Sequence, residues 1–358
     1  MGWDGSDDAL EKMKVLAIQG DVNAQYVLGN KYYGNNDAES DVEAVKWYRL
    51  AAEQGHASAQ VNLGVMCENG RGIAKDGAEA VKWYKLAANK DNAYAQVNLG
   101  WIYANGIMVE KDDAEAVRLY KLAAFQDNTR AQINLGWMYE NGRGVIKDDA
   151  EAVRLYKLAA EKKDVRAQTN LGWMYANGKG VVKDDAEAVK WYRSAADQGS
   201  ARAQFNLGRM YESGTGVAKD SAEVAKWYRM AAEQDHVKAQ VNLGWMYENG
   251  VGVTKDLSEA VKWYRSAAEK NDALAQSNLG VMYGSGKGIE EDNVEAAKWF
   301  TRAANQGSAG AQVNLGWMYA NGVGVEKDDA EALKWYKLAA EQGDKTANDH
   351  LRSLGSKE

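Results

Sequence analysis

The 36 residues AQINLGWMYENGRGVIKDDAEAVRLYKLAAEKKDVR, positions 131–166, decide the reading of the whole chain. In their first half Ala131, Leu135, Met138 and Tyr139 recur at the spacing of one helix face. Asn141-Gly142 follows as a C-terminal stop. NGRGVIKD reads as a glycine-rich turn with Val145 tucked back onto the core. Asp148 then takes the N-cap, and Asp149 and Glu151 fall in the first turn, where acids complement the helix dipole. The second helix, AEAVRLYKLAA, aligns Ala152, Leu155, Tyr156 and Ala159 on one stripe. One unit therefore holds two antiparallel helices, with small Ala and Gly at their crossings.

The unit recurs. Ala-Gln pairs start at Ala24, Ala59, Ala95, Ala131, Ala167, Ala203, Ala239, Ala275 and Ala311, with Ala347-Asn348 as a degenerate tenth. The spacing is 36 residues, apart from a first step of 35. A fixed period of this length means that neighbouring units share their apolar faces and build one array. The expectation is an all-α superhelical solenoid forming one repeat domain over residues 1–358. A capping helix occupies 1–20, nine repeats occupy 21–344, and a second capping helix with a tail occupies 345–358. Proline is absent, so Gly, Asn and Asp must set the helix ends.

Composition narrows the function. The 44 basic and 51 acidic side chains are interspersed and leave a net charge of −7, which gives no electrostatic footprint for nucleic acid or anionic membrane. No run approaches the ~18 apolar residues of a membrane span. The single cysteine, Cys67, precludes an internal disulfide. MGWDGS at the start fits the short N-myristoylation pattern, and a chance match with Ser6 capping a helix is the simpler reading. The three histidines, far apart in sequence, cannot assemble a zinc site with one cysteine. The Lys-Asp-Asp loops depart from EF-hand spacing, the NGRG turns lack Gly-Lys-Ser/Thr, and no nucleophile is paired with a base. The expectation is a non-enzymatic chain without a catalytic, cofactor or metal site.

The run A-Q-x-N-L-G-x-M-Y-x-N-G-x-G-V-x-K-D, then A-x-K-W-Y-x-x-A-A-E-Q-G, resembles the Sel1-like repeat, a relative of the tetratricopeptide repeat. The resemblance covers essentially residues 7–355. It implies a right-handed α-solenoid whose first helices line a concave groove, and an adaptor or scaffold for protein partners. Many relatives are bacterial, which suggests a soluble protein of the bacterial cytoplasm, or an exported one if a signal peptide was removed. The residue before Lys-Asp, often proline in the family, is here Ala74, Glu110 or Ile146, for example. Cysteine-rich relatives linked to penicillin binding carry two cysteines per unit, so a lone Cys67 speaks against β-lactam chemistry here.

On a helical wheel Leu135, Met138 and Tyr139 cluster about Ala131, whereas Trp137 falls on the far side. The same side takes the column Val61, Val97, Ile133, Thr169, Phe205 and Val241, and the alternating column Glu68, Ala104, Glu140, Ala176 and Glu212. It also takes four successive cations, Arg130, Arg166, Arg202 and Lys238. Each cation stands seven residues before the Trp column: Arg130 with Trp137, Arg166 with Trp173, Lys238 with Trp245. Arg202 instead meets Arg209, with Phe205 beside it. Such a strip suits an acidic or carboxylate-ended peptide, through charge-assisted hydrogen bonds, cation–π contacts and apolar anchoring. Alternatively, the Trp column packs sideways between neighbouring helices and the cations balance Glu140, Glu212 and Glu248. A carbohydrate or cell-wall ligand stacked on the Trp column is the other functional alternative. The expected partner is a protein or peptide, with no nucleic acid and no membrane insertion, bound by a monomer. The second-helix residues Trp47, Trp83, Trp191, Trp227, Trp263, Trp299 and Trp335 are expected in the core.

Overall fold

The computed structural model describes residues 7–355, so the MGWDGS pattern lies outside the described residues. Within them every regular element is an α-helix. The chain divides into two compact units, one up to Lys183 and one from Asp184. The first holds α1 (Asp7–Ile18), α2 (Val22–Gly34), α3 (Ala38–Glu53), α4 (Ala57–Asn69), α5 (Gly77–Ala88), α6 (Ala93–Asn105), α7 (Asp113–Phe125), α8 (Thr129–Asn141), α9 (Asp149–Glu161) and α10 (Val165–Asn177). The second holds α11 (Asp185–Asp197), α12 (Ala201–Ser213), α13 (Ser221–Ala232), α14 (Val237–Asn249), α15 (Leu257–Glu269), α16 (Ala273–Ser285), α17 (Asn293–Asn305), α18 (Ala309–Asn321), α19 (Asp329–Glu341) and α20 (Lys345–Gly355). Inside each unit consecutive helices pack on one another, and the closest pairs are the two helices of one repeat.

Caps fix the helix ends as the residue types require. The Asp148 carboxylate accepts from Glu151 N at 2.9 Å, and Asn128 accepts from Ala131 N at 3.0 Å. At α4 and α14 a histidine takes this place, with His56 Nδ1 and His236 Nδ1 accepting from Ala59 N and Ala239 N. First helices stop on a left-handed glycine such as Gly142, at φ +63°. Two residues on, Gly144 lies so close to the previous repeat that a Cβ would sit 2.1 Å from the Asp113 carbonyl oxygen. Turn and helix start are thus locked together, and Val145 packs partly buried against the core.

The Ala-Gln signature is explained by hydrogen bonding. Each Ala is fully buried, and the Gln amide ties down the last turn of the preceding helix: Gln60 Nε2 donates to Ala52 O at 3.0 Å, and Gln240 Nε2 to Ala232 O at 3.0 Å. The Gln at the end of a second helix then donates to the Ala-Gln glutamine of its own repeat, as Gln126 does to Gln96 at 2.9 Å and Gln306 to Gln276 at 2.7 Å. Where the second Gln is present it supplies the donor that the buried amide oxygen needs, whereas Gln60, whose repeat has Lys90 at that place, keeps its Oε1 unpartnered.

The core is a repeated fit of ring onto glycine. Tyr156 of α9 is fully buried against Gly136 of α8, where a Cβ would come 2.8 Å from its Cε1. The same arrangement joins Gly64 to Tyr84 and Gly244 to Tyr264. Trp47, Trp83, Trp227, Trp299 and Trp335 are buried as expected, while Trp191 and Trp263 are half-buried. On the outer face, acid–base pairs three residues apart form as in Glu151–Arg154 at 2.7 Å. Glu79 departs from this pattern: it binds Arg49 of the previous repeat at 2.8 Å and receives Trp83 Nε1 at 3.2 Å.

Candidate functional site

Packing leaves one face of the first helices open. Trp101, Trp137, Trp245 and Trp317 are between 38% and 49% exposed, and Trp173 is half-buried. The Trp column is therefore not shut between helices, and a different column is buried. Val61, Val97, Ile133, Thr169 and Val241, placed on the open side by the wheel, are all buried. Val97 and Val241 join the cores built with the second helices, Val97 beside Val117 and Tyr120 and Val241 beside Val261 and Tyr264. Phe205 goes with this column: its half-buried ring stacks on Tyr228 at 5.5 Å and on His236 at 4.5 Å, not beside Arg209 on the open face.

Arg130, Arg166, Arg202, Arg209 and Lys238 are all exposed, as the sequence placed them. The pairing within a repeat is different. Seven residues along a helix span about 10 Å, and a nearer cation from the following turn covers the indole instead. The Arg143 guanidinium lies 5.0 Å from the Trp137 ring centre, and Lys179 Nζ lies 4.8 Å from that of Trp173. Arg143 is held in place by the Ala104 carbonyl at 2.6 Å and by Asp113, whose Oδ2 accepts from Nε at 3.2 Å. That guanidinium keeps the Asp113 carboxyl below its ordinary value. Arg166 reaches its own helix cap, Asp164, at 3.5 Å. Arg130 lines a hollow with Glu68, Asn98 and Trp101, so its aromatic neighbour belongs to the preceding repeat. In the second unit, Arg202 and Arg209 both act on the buried phenol of Tyr192, which burial still pushes up to about 12. The turn cations are legible in sequence as a column, Arg71, Arg143, Lys179 and Lys287, one residue past Asn-Gly or Ser-Gly.

Beneath the Trp column runs a polar floor. The second-helix Tyr hydroxyls emerge beside the alternating acid column: Tyr84 donates to Glu68 Oε2 at 2.7 Å, Tyr156 to Glu140 Oε2 at 2.8 Å, and Tyr264 to Glu248 Oε2 at 2.7 Å. Charge balance across a groove is thus not the first task of these glutamates. Two hollows open where no Glu stands. One, of about 230 Å³, is lined by Trp101, Ala104, Tyr120, Asn134, Trp137 and Arg143. The other, of about 220 Å³ in the second unit, is more apolar, with Val281, Gly284, Phe300, Trp317 and Met318 in its lining. Cys67 is buried and its thiol is pushed up to about 11, so it stays protonated at neutral pH. This arrangement of indoles, cations and hydroxyls is suited to holding a ligand by stacking, charge and hydrogen bonds. No helix among the described residues is long and apolar enough to cross a membrane.

Comparison with known proteins places these features in a lineage. The Sel1 repeat matches nine consecutive stretches: residues 22–56, 57–92, 93–128, 129–164, 165–200, 201–236, 237–272, 273–308 and 309–344. The crystal structure of c5321, a protective antigen of uropathogenic Escherichia coli strains displaying an SLR fold, is 34% identical over 98% of this chain and 83% of its own, with a TM-score of 0.64. A Sel1 repeat protein from Oxalobacter formigenes is 34% identical over 91% of this chain and 93% of its own, with a TM-score of 0.65. The STAND protein PH0952 of Pyrococcus horikoshii, which has a tetratricopeptide repeat sensor, shares the fold alone. It is 15% identical at a TM-score of 0.55, over 94% of this chain and 54% of its own. No curated protein matches the sequence.

Proposed function

The chain belongs to the Sel1 repeat family, and from that membership we propose that it is a scaffold holding an acidic segment of a partner protein on the open face of its first helices. Repeats of this family and of its tetratricopeptide relatives typically mediate protein–protein interaction, and the family is generally non-enzymatic. The observation that carries the acidic reading is the half-open Trp137 beneath the pinned guanidinium of Arg143, with Arg130 and Arg166 exposed in the same unit. Lys238, Arg202, Arg209 and half-exposed Trp245 extend the same composition to the second unit. An indole that keeps roughly half its surface in water beside a fixed cation offers apolar area and positive potential together, the profile of an interface anchor.

The test is an array of capped peptides of graded acidity, read with the native chain and with the Arg166→Glu/Arg202→Glu double variant. Acidic peptides should be retained by the native chain, more weakly as salt rises, and should lose at least tenfold in affinity to the variant at unchanged helicity. Equal retention by both proteins contradicts the reading. The open indoles also favour a second reading, stacking of a carbohydrate or cell-wall ligand; retention of a polysaccharide that is insensitive to salt and to the double variant supports it instead.

A further inference from the structure

The repeats serve as internal controls for one another, and the third repeat breaks a pattern kept by its neighbours. In the second and fourth repeats a Glu on the first helix accepts the hydroxyl proton of the second-helix Tyr, as Glu68 does from Tyr84 and Glu140 from Tyr156. In the third repeat the corresponding position is Ala104. Tyr120 is as buried as its counterparts, and it lines one hollow together with Asn134. Its hydroxyl opens onto the place where a carboxylate stands in the repeats on either side. That place is the hollow of about 230 Å³ walled by Trp101 and Trp137, with Arg143 at its rim.

We propose that the hollow over Ala104 is a subsite for a glutamate side chain of the bound segment, whose carboxylate accepts from Tyr120 Oη and faces Arg143 while its methylenes lie between the two indoles. The proposal rests on the peptide-binding reading above and specifies one contact within it. A side chain is favoured over a chain terminus because a two-methylene arm rising from a backbone is what fills this position in the sibling repeats. A carboxylate is favoured over an amide because Arg130 and Arg143 both place positive charge near the Tyr120 hydroxyl. The acceptor is thereby matched to a preorganised donor and a charge-assisted partner.

Calorimetry with acetylated, amidated hexaglutamate and the matching hexaglutamine tests this on the full chain. The native protein should bind the glutamate peptide and not the glutamine one. Ala104→Glu should install the siblings' own carboxylate, keep the thermal midpoint, and weaken hexaglutamate binding at least tenfold. Tyr120→Phe should weaken it in the same direction while keeping the ring on Gly100, as Phe300 lies on Gly280. Equal binding by native protein and Ala104→Glu overturns the subsite, as does absence of binding by the native protein. Binding of hexaglutamine with a free C-terminus as tight as that of hexaglutamate overturns the side-chain source. In each of these cases the Arg166→Glu/Arg202→Glu comparison on the peptide array still decides the broader reading on its own.

Discussion

Gly136 shows how a single residue type can be both weakness and requirement. In a helix interior glycine is about 0.5–1 kcal/mol less favourable than alanine, yet Gly136 lies where a Cβ would press 2.8 Å from the Tyr156 ring. Overpacking of that kind costs about 1–3 kcal/mol and outweighs the gain in helix propensity. Gly136→Ala should therefore destabilise the chain by about 1–2 kcal/mol in urea unfolding. Gly310→Ala, at a helical site with nothing within 4 Å, should be neutral or stabilising. The same substitution is thus expected to have opposite signs at two glycines of one sequence. Spacing alone assigns Leu135, Met138 and Tyr139 to the core; Leu135 and Met138 are buried there, while Tyr139 is half-buried with Lys121 over its ring. Phe205 is misplaced by the same reasoning, because a wheel drawn for one helix cannot say which of its flanks meets the next repeat.

At the scale of the element, helix starts rest on a capping side chain, and two of these, both histidines, titrate near neutral pH. His56 and His236 cap α4 and α14 through Nδ1, each stacked under an aromatic ring, Tyr26 and Phe205 respectively. Burial holds both imidazoles below their ordinary pKa. The folded state therefore binds protons less readily than the unfolded chain. Their contribution to stability is complete above the usual imidazole range and is lost as pH falls through it. Protonation also removes the lone pair that accepts from Ala59 N and Ala239 N. The thermal midpoint should fall between about pH 7.5 and pH 5.5, and the His56→Asn/His236→Asn variant should show a smaller fall, since Asn92 and Asn128 cap the sibling helices. Parallel midpoints for native protein and variant would contradict this. Caps and glycine stops are legible in sequence because they are local. The Glu79–Arg49 pair is not, since a helical wheel offers Lys82 and gives no view of the preceding repeat.

For the whole molecule, the 36-residue period makes the all-helical repeat architecture and its nine copies readable from the residues alone. What periodicity averages away is the difference between copies, and the function is proposed to lie there. Glu68 and Glu140 close their tyrosines, whereas Ala104 leaves Tyr120 open; Gly284 and Phe300 turn the matching place in the second unit apolar. Arg143 and Lys179 escape a helical wheel because they belong to turns, while Arg130 and Arg166 are found by it because they stand on the helix itself. The most direct measurement is 19F NMR of the 5-fluorotryptophan-labelled chain, with signals assigned by single Trp→Phe variants, during titration with the acidic peptide best retained on the array. The resonances of Trp101, Trp137 and Trp245 should shift in step with saturation while those of buried Trp83 and Trp227 stay in place. A saturating peptide that leaves the three open tryptophans unmoved would contradict binding on this face.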